Sequence, residues 1–159
     1  MFNFEEVKPD ALTPLNFPDF SFRIRDDGQS TQIYDSVRKR FVVLTPEEWV
    51  RQNLLAYMVH CCLYPMGLIA VEKMVKVNGL SQRADIVVYH RTGKPWLLAE
   101  CKSVSVPLSQ DTFLQAARYN TNLEVPFFVL SNGLEHYCLQ ARGASWDFRE
   151  DLPEFPSEI

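Results

Sequence analysis

The chain has 159 residues, 47% of them hydrophobic and 13% aromatic, which suits a single domain with a sizeable core. A net charge of −4 does not advertise a nucleic-acid binder, although a local basic patch is compatible with that sum. No segment is long and apolar enough to span a bilayer, the start "MFNFEEVKPD" has neither a basic n-region nor an h-region, and Cys61, Cys62, Cys101 and Cys138 show no metal spacing, so the expectation is a cytoplasmic protein with reduced thiols and no membrane association.

Residues 1–18, with Pro9, Pro14 and Pro18, read as an arm lying on the surface. "DFSFRIR" (19–25) alternates apolar and polar residues before the turn "DDGQS", which predicts an N-terminal β-hairpin, and "RKRFVVL" (38–44) is the next strand candidate. "TPEEW" opens a helix over 46–63: Thr45 is the N-cap, Pro46 the first helical residue, and Glu48 lies three positions after the cap. Val50, Leu54, Met58 and Cys61 then recur at helical spacing.

Three strand-like runs follow, 68–77, 83–90 and 96–102, separated by "NG" and "RTGKP". Apolar runs broken by turn residues predict an antiparallel meander. A second helix is expected over 108–123, capped near Ser109. "VPFFVLS" (125–131) is wholly apolar and suits a buried strand, and "LEHYCLQAR" (134–142) reads as another. The acidic tail 143–159 is expected to pack through Trp146 and Phe148 and then fray. The fold class is mixed α/β, with helices on the faces of the sheet and a core over 34–138.

Chemistry concentrates in "LLAECKS" (97–103). Strand alternation puts Glu100 and Lys102 on one face, together with Leu98. Asp85 heads the preceding strand, and a four-residue turn near Gly93 brings it opposite the 100–102 stretch. Pairing with Glu100 or Lys102 would make all three charges converge, whereas pairing with Cys101 would flip Asp85 away, and the sequence leaves both registers open. Two close carboxylates suit a hard cation such as Mg²⁺, and an adjacent ammonium could act on a developing phosphorane charge. The plainer alternative is a structural ion-pair cluster.

These residues resemble the PD-(D/E)xK nuclease superfamily, and more narrowly the N-terminal nuclease domain of type I restriction enzyme R subunits. The motif residues are Asp85, Glu100-Cys101-Lys102, and Gln115 with Tyr119 in "QAARY"; the helix start "PEEWVRQ" adds to the likeness. Ala84 stands where the superfamily name has proline. The resemblance implies a restriction-endonuclease-like α-β-β-β-α-β core and a Mg²⁺- or Mn²⁺-dependent deoxyribonuclease in DNA defence or repair. It implies Asp85, Glu100 and the Cys101 carbonyl as metal ligands, Lys102 as the catalytic lysine, and Gln115 and Tyr119 bordering the site. Glu48 would assist the metal, with Glu47 as its rival and the capping box as its plainer explanation. Gln115 and Tyr119 could equally be a surface glutamine and a core tyrosine, and Arg51 and Gln52 could contact phosphate. With no helicase motor in 159 residues, a stand-alone domain is expected, served by a homodimer partner or a protein partner. A non-catalytic nuclease-fold module that binds DNA or protein is the alternative, and a metal-free interaction protein a weaker one. "SVRKR" (36–40) holds the densest positive charge, suited to phosphates or to a solvated strand edge.

Overall fold

A computed structural model describes residues 12–77, 79–114 and 124–157 of the chain. Strands β1 (Ile24–Asp26), β2 (Thr31–Asp35) and β3 (Arg40–Val43) form a small antiparallel sheet. Helix α1 (Pro46–His60) follows. Then come β4 (Ile69–Val77), β5 (Leu80–Tyr89), β6 (Pro95–Cys101), β7 (Phe127–Ser131), β8 (His136–Arg142) and β9 (Ser145–Arg149). These lie in chain order in one six-stranded sheet, antiparallel throughout except for the parallel β6–β7 pair. The mixed α/β class and the meander therefore match the expectation.

The expected N-terminal hairpin is instead a three-stranded sheet, because the 40–43 stretch pairs back onto β2 from Gln32↔Val43 to Asp35↔Arg40. Its first strand begins at Ile24, not near residue 19. The turn behind it is held by the Asp27 carboxylate, which accepts the Gln29 and Ser30 N–H groups at 2.9 Å each. Such a side-chain anchor satisfies backbone donors that the tight turn leaves unpaired.

Thr45 caps α1 as expected, its side chain accepting from Glu48 N–H at 3.0 Å. The helix stops at His60, short of the expected 63, and the backbone turns at Leu63 (φ 57°). Tyr64 is then drawn into the core, where its hydroxyl donates to the Pro153 carbonyl at 2.6 Å. Cys61, expected on the apolar face, falls past the helix end and is exposed.

Val50, Leu54 and Met58 are fully buried against Ile86, Val88, Leu97, Ala99, Cys101, Val129 and Cys138 on one sheet face. Each such side chain contributes roughly 1.5–3 kcal/mol, which fixes α1 on the sheet and with it the polar residues at its start. On the other face Val87, Leu98, Phe128, Leu130 and Leu139 meet Leu108, Phe113 and Val125. A helix begins there at Gln110, with Ser109 Oγ accepting from Thr112 N–H at 3.1 Å. The rest of that expected helix, with Gln115 and Tyr119, lies outside the described residues.

Both ends of the described chain are tied down. The tail does not fray after Phe148: β9 pairs with β8, Phe148 stacks on Phe113 at 4.8 Å, and Leu152 and Phe155 pack on the first core. From the N-terminal arm, Leu15 covers Gly133, where a Cβ would sit 2.7 Å from Leu15 Cδ2 and φ is +88°. A side chain at 133 would therefore be strained in both backbone and packing. Beside it, His136 Nε2–H donates to the Asn16 carbonyl at 2.9 Å, which leaves Nδ1 to accept from Ser131 Oγ–H at 2.7 Å. Among the described residues no helix is long and apolar enough to cross a membrane.

Candidate functional site

The β5–β6 ladder runs Ile86↔Ala99, Val87↔Leu98, Val88↔Leu97. The ladder ends at Ile86↔Ala99, and Asp85 and Glu100 are the next residues of the two strands. Asp85 Oδ2 accepts the Cys101 N–H at 2.7 Å, and Lys102 Nζ lies 2.9 Å from Glu100 Oε1. The backbone of Lys102 is fixed from the other side, its N–H donating to Ser131 O at 2.8 Å on parallel β7.

Strand alternation breaks at Asp85: Ala84 packs into the second core and Ile86 into the first. Across the ladder, β4 pairing skips from Val71↔Ile86 to Lys73↔Ala84, and the intervening Glu72 has φ 51°. A left-handed glutamate inside a strand costs of order 1–3 kcal/mol and re-aims the side chains around it. Nothing in the sequence signals this residue.

Beneath the hairpin lies an ion-pair network that sequence reasoning caught only in part. Arg51 Nη1 lies 2.6 Å from Glu48 Oε2 and 3.5 Å from Glu72 Oε1. Its Nη2 lies 3.2 Å from Asp85 Oδ1 and 3.3 Å from Glu47 Oε1. Arg38 bridges Asp35 (2.7 Å), Glu48 (2.5 Å) and Glu72 (3.3 Å), and Gln52 donates to both Asp35 and Glu48. Arg83 adds a third guanidinium at Glu72, 3.2 Å away. The Arg51 side chain is only 4% exposed, and its Nε is buried without a partner. The basic run 36–40 was the one sequence signal for Arg38; Glu72 had none, since its partners Arg38 and Arg51 are remote in the chain, and Asp35, though only three residues from Arg38, reads locally as a plain turn residue.

The two acids at the start of α1 differ sharply. Glu48 is buried between Arg38 and Arg51, so its carboxylate does not close the expected capping box. Glu47 is 47% exposed, and both Asp85 and Lys102 act on it electrostatically. Burial pushes the Glu47 carboxyl up, and the Asp85 charge adds to the rise. Burial also pushes Asp85 up, against the Cys101 N–H and Arg51, with Glu100 contributing in the same upward direction. The hydrogen bond to Glu100 raises Lys102, which keeps it an ammonium at neutral pH. The Cys101 thiol faces the α1 core and is pushed up by complete burial, so it is inert.

Asp85, Glu100 and Lys102 are thus brought into one electrostatic neighbourhood with Glu47, at side-chain exposures of 22%, 36% and 34% for the first three. Among the described residues no three His, Cys, Asp or Glu side chains form a metal cage. What the hairpin offers is sparser: two oxygen-donor carboxylates reachable from solvent. That donor chemistry fits a hard cation that keeps most of its waters, as Mg²⁺ does.

Residues 46–156 match the family described as type I restriction enzyme R protein N terminus. No curated protein matches the chain. Among solved structures, a fragment of an HsdR subunit of a type I restriction enzyme from Vibrio vulnificus YJ016 is similar at 20% identity and a TM-score of 0.44. That likeness covers 66% of this chain and 24% of the other, and at such a score it carries no argument about fold or activity.

Proposed function

Because the chain belongs to the type I restriction enzyme R protein N-terminal family, we propose that it hydrolyses DNA phosphodiester bonds with a divalent cation, Mg²⁺ or Mn²⁺. In this reading it is a PD-(D/E)xK-type deoxyribonuclease acting in cytoplasmic DNA defence or repair. The observation that supports it best is the end of the β5–β6 ladder, where Asp85 accepts the Cys101 N–H at 2.7 Å and Lys102 stands 2.9 Å from the Glu100 carboxylate.

Asp85, Glu100 and the Cys101 carbonyl would hold the cation. When bound, it would polarise a phosphoryl oxygen and lower the pKa of a coordinated water. The protein groups do the rest. Lys102 carries a fixed positive charge beside the place where phosphate charge develops, and electrostatic groups of that kind account for large shares of rate enhancement. The Cys101 N–H holds one Asp85 oxygen in place, which orients the carboxylate. Glu48, expected to assist the metal, instead anchors Arg38 and Arg51, so that part would pass to its more exposed rival Glu47. Gln115 and Tyr119 would border it from the second helix. A domain of this size has little surface for reading sequence, so selectivity would come from DNA structure, a second copy or a protein partner.

One observation favours a second reading. Arg51 and Lys102 already balance Asp85 and Glu100, so the acids are satisfied without a cation. In that case the chain is a non-catalytic module that binds DNA or a protein. A nicking assay on supercoiled, linear, single-stranded and branched DNA, run in Mg²⁺ and in Mn²⁺ beside Asp85→Asn, separates the two. Cleavage lost in the variant supports hydrolysis. No cleavage of any substrate, with no heat on Mn²⁺ titration, rejects it in favour of the module.

A further inference from the structure

The small N-terminal sheet has two unlike faces. Ile24 and Ile33 face inward, buried with Trp49. Strand alternation puts Arg25, Gln32, Tyr34 and Phe41 on the outer face, which is half open to solvent. There Tyr34 and Phe41 meet edge to face at 5.3 Å. The Arg25 guanidinium lies 3.9 Å from the Phe41 ring centre, and that of Arg23 4.6 Å from the Tyr34 ring. Arg25 is further steadied by donating from Nε to the Gln32 side-chain oxygen at 2.8 Å. Among the described residues neither Arg25 nor the exposed Arg40 forms an ion pair, in contrast to Arg38 and Arg51 close by.

This face leads directly to the candidate site. One groove of about 740 Å³ is lined by Gln32, Arg40 and Phe41 on the sheet side and by Glu47, Arg51 and Ser103 on the other. Ser103 follows Lys102 in the chain, and Glu47 and Arg51 border Asp85. The groove therefore runs from Phe41 and Arg40 to residues that border the acid cluster, passing Glu48 and Glu72, which Arg38 holds.

We propose that the outer face of β1–β3, together with the β3 edge where Arg40 lines the groove, is a DNA-binding track that holds one sugar-phosphate strand and leads it along the groove towards Asp85, Glu100 and Lys102. The proposal rests on the reading of DNA as substrate. Arg25 on the outer face and the exposed Arg40 at the groove, opposite Asp35 and so on the other side of β3 from Phe41, supply the charge that phosphates require. The Phe41 and Tyr34 rings pre-orient the guanidinium groups and offer apolar contact to sugars or bases, a combination that suits single-stranded nucleic acid. Charge complementarity selects the occupant: in a chain of net charge −4, Arg25 and Arg40 form no ion pair among the described residues, while Arg38 and Arg51 are neutralised.

The test measures binding apart from cleavage. Fluorescence anisotropy of labelled single-stranded and duplex DNA is followed in EDTA across a salt series. It compares the wild type, Arg25→Ala/Arg40→Ala, and a charge-matched control, Lys76→Ala/Lys94→Ala, with thermal melts alongside. The expected result is at least a tenfold affinity loss in the arginine variant, with the log–log salt slope flattened, for each phosphate contact removed, by about 0.7 on single-stranded and about 0.9 on duplex DNA. The control should change little, and the melting points should agree. Equal binding by a folded arginine variant overturns the track, leaving this face to an acidic protein or to no partner. An equal loss in the control also overturns it, as bulk charge alone. The two proposals fail separately: wild-type binding without nicking rejects hydrolysis and keeps the track, whereas nicking with unchanged variant binding does the reverse.

Discussion

The polar residues around the β5–β6 hairpin fall into two zones with opposite design. In the inner zone Asp35, Arg38, Glu48, Arg51 and Gln52 are largely buried, and each charge has two or more partners. In the outer zone Glu100 and Lys102 are about one-third exposed and hold one another, and among the described residues Glu47 has a single ion-pair partner. Asp85 spans the border, one oxygen on Arg51 and the other on the Cys101 N–H. Over-determined charges serve position, and loosely held charges remain available to a ligand. The inner zone is the frame that permits the outer zone to keep costly carboxylates close together.

The sharpest way to break the comparison is Arg51→Ala. It leaves Glu48 and Asp85 desolvated and unbalanced, and breaking a buried pair this way costs about 3–5 kcal/mol. Urea denaturation should show that loss, and a cost below about 1 kcal/mol would mean that the inner zone is not a frame. Lys102→Ala should do the opposite. Its exposed pair contributes at most about 1 kcal/mol to stability, yet nicking in saturating Mg²⁺ should fall at least a hundredfold, roughly 3 kcal/mol of barrier. Full activity in the folded variant would leave Lys102 with a structural role alone.

The neighbouring acids of α1 make a finer test. Glu48→Gln removes the charge between two guanidinium groups and should cost about 1–3 kcal/mol, while Glu47→Gln should stay within about 0.5 kcal/mol. Equal chemical-denaturation midpoints for the two would erase the distinction drawn between them. The smallest expected effect is on pH dependence. Burial alone would raise the Asp35 carboxyl, but hydrogen bonds from Arg38 and Gln52 hold it below its ordinary value. Its folded pKa being depressed, its contribution is complete above the unfolded pKa of about 3.9 and is lost as pH falls through that value towards the folded one. Asp35→Asn, though less stable at neutral pH, should show a flatter acid limb in thermal melts below about pH 4.

How legible this was in the sequence depended on range. The meander, the Thr45 cap and the Ser109 cap are local signals, and each is where turn chemistry and capping residues put it. Asp85, Glu100 and Lys102 stood out because charges interrupt apolar strands. The inner zone did not, because Arg38–Glu72 and Arg51–Asp85 each join residues 34 apart, and no single-sequence pattern encodes such a meeting. Glu72 has nothing about its neighbours to announce a left-handed backbone. β9 was misjudged for a compositional reason: acids and prolines argued for fraying, while the alternation of Trp146 and Phe148 was the signal that governed.

The single parallel pairing in the large sheet has a consequence for the order in which the molecule is made. β4, β5 and β6 can pair as they emerge from the ribosome, since their contacts are local. The Lys102 amide cannot find its acceptor until Ser131 has been synthesised and the strand carrying it has docked alongside β6. A nascent chain cut short before that point would hold the acidic hairpin without the backbone anchor of its lysine. Assembly of the lysine's position is thereby deferred until most of the sheet exists, a built-in delay for a protein whose proposed substrate, DNA, is also the cell's own genome.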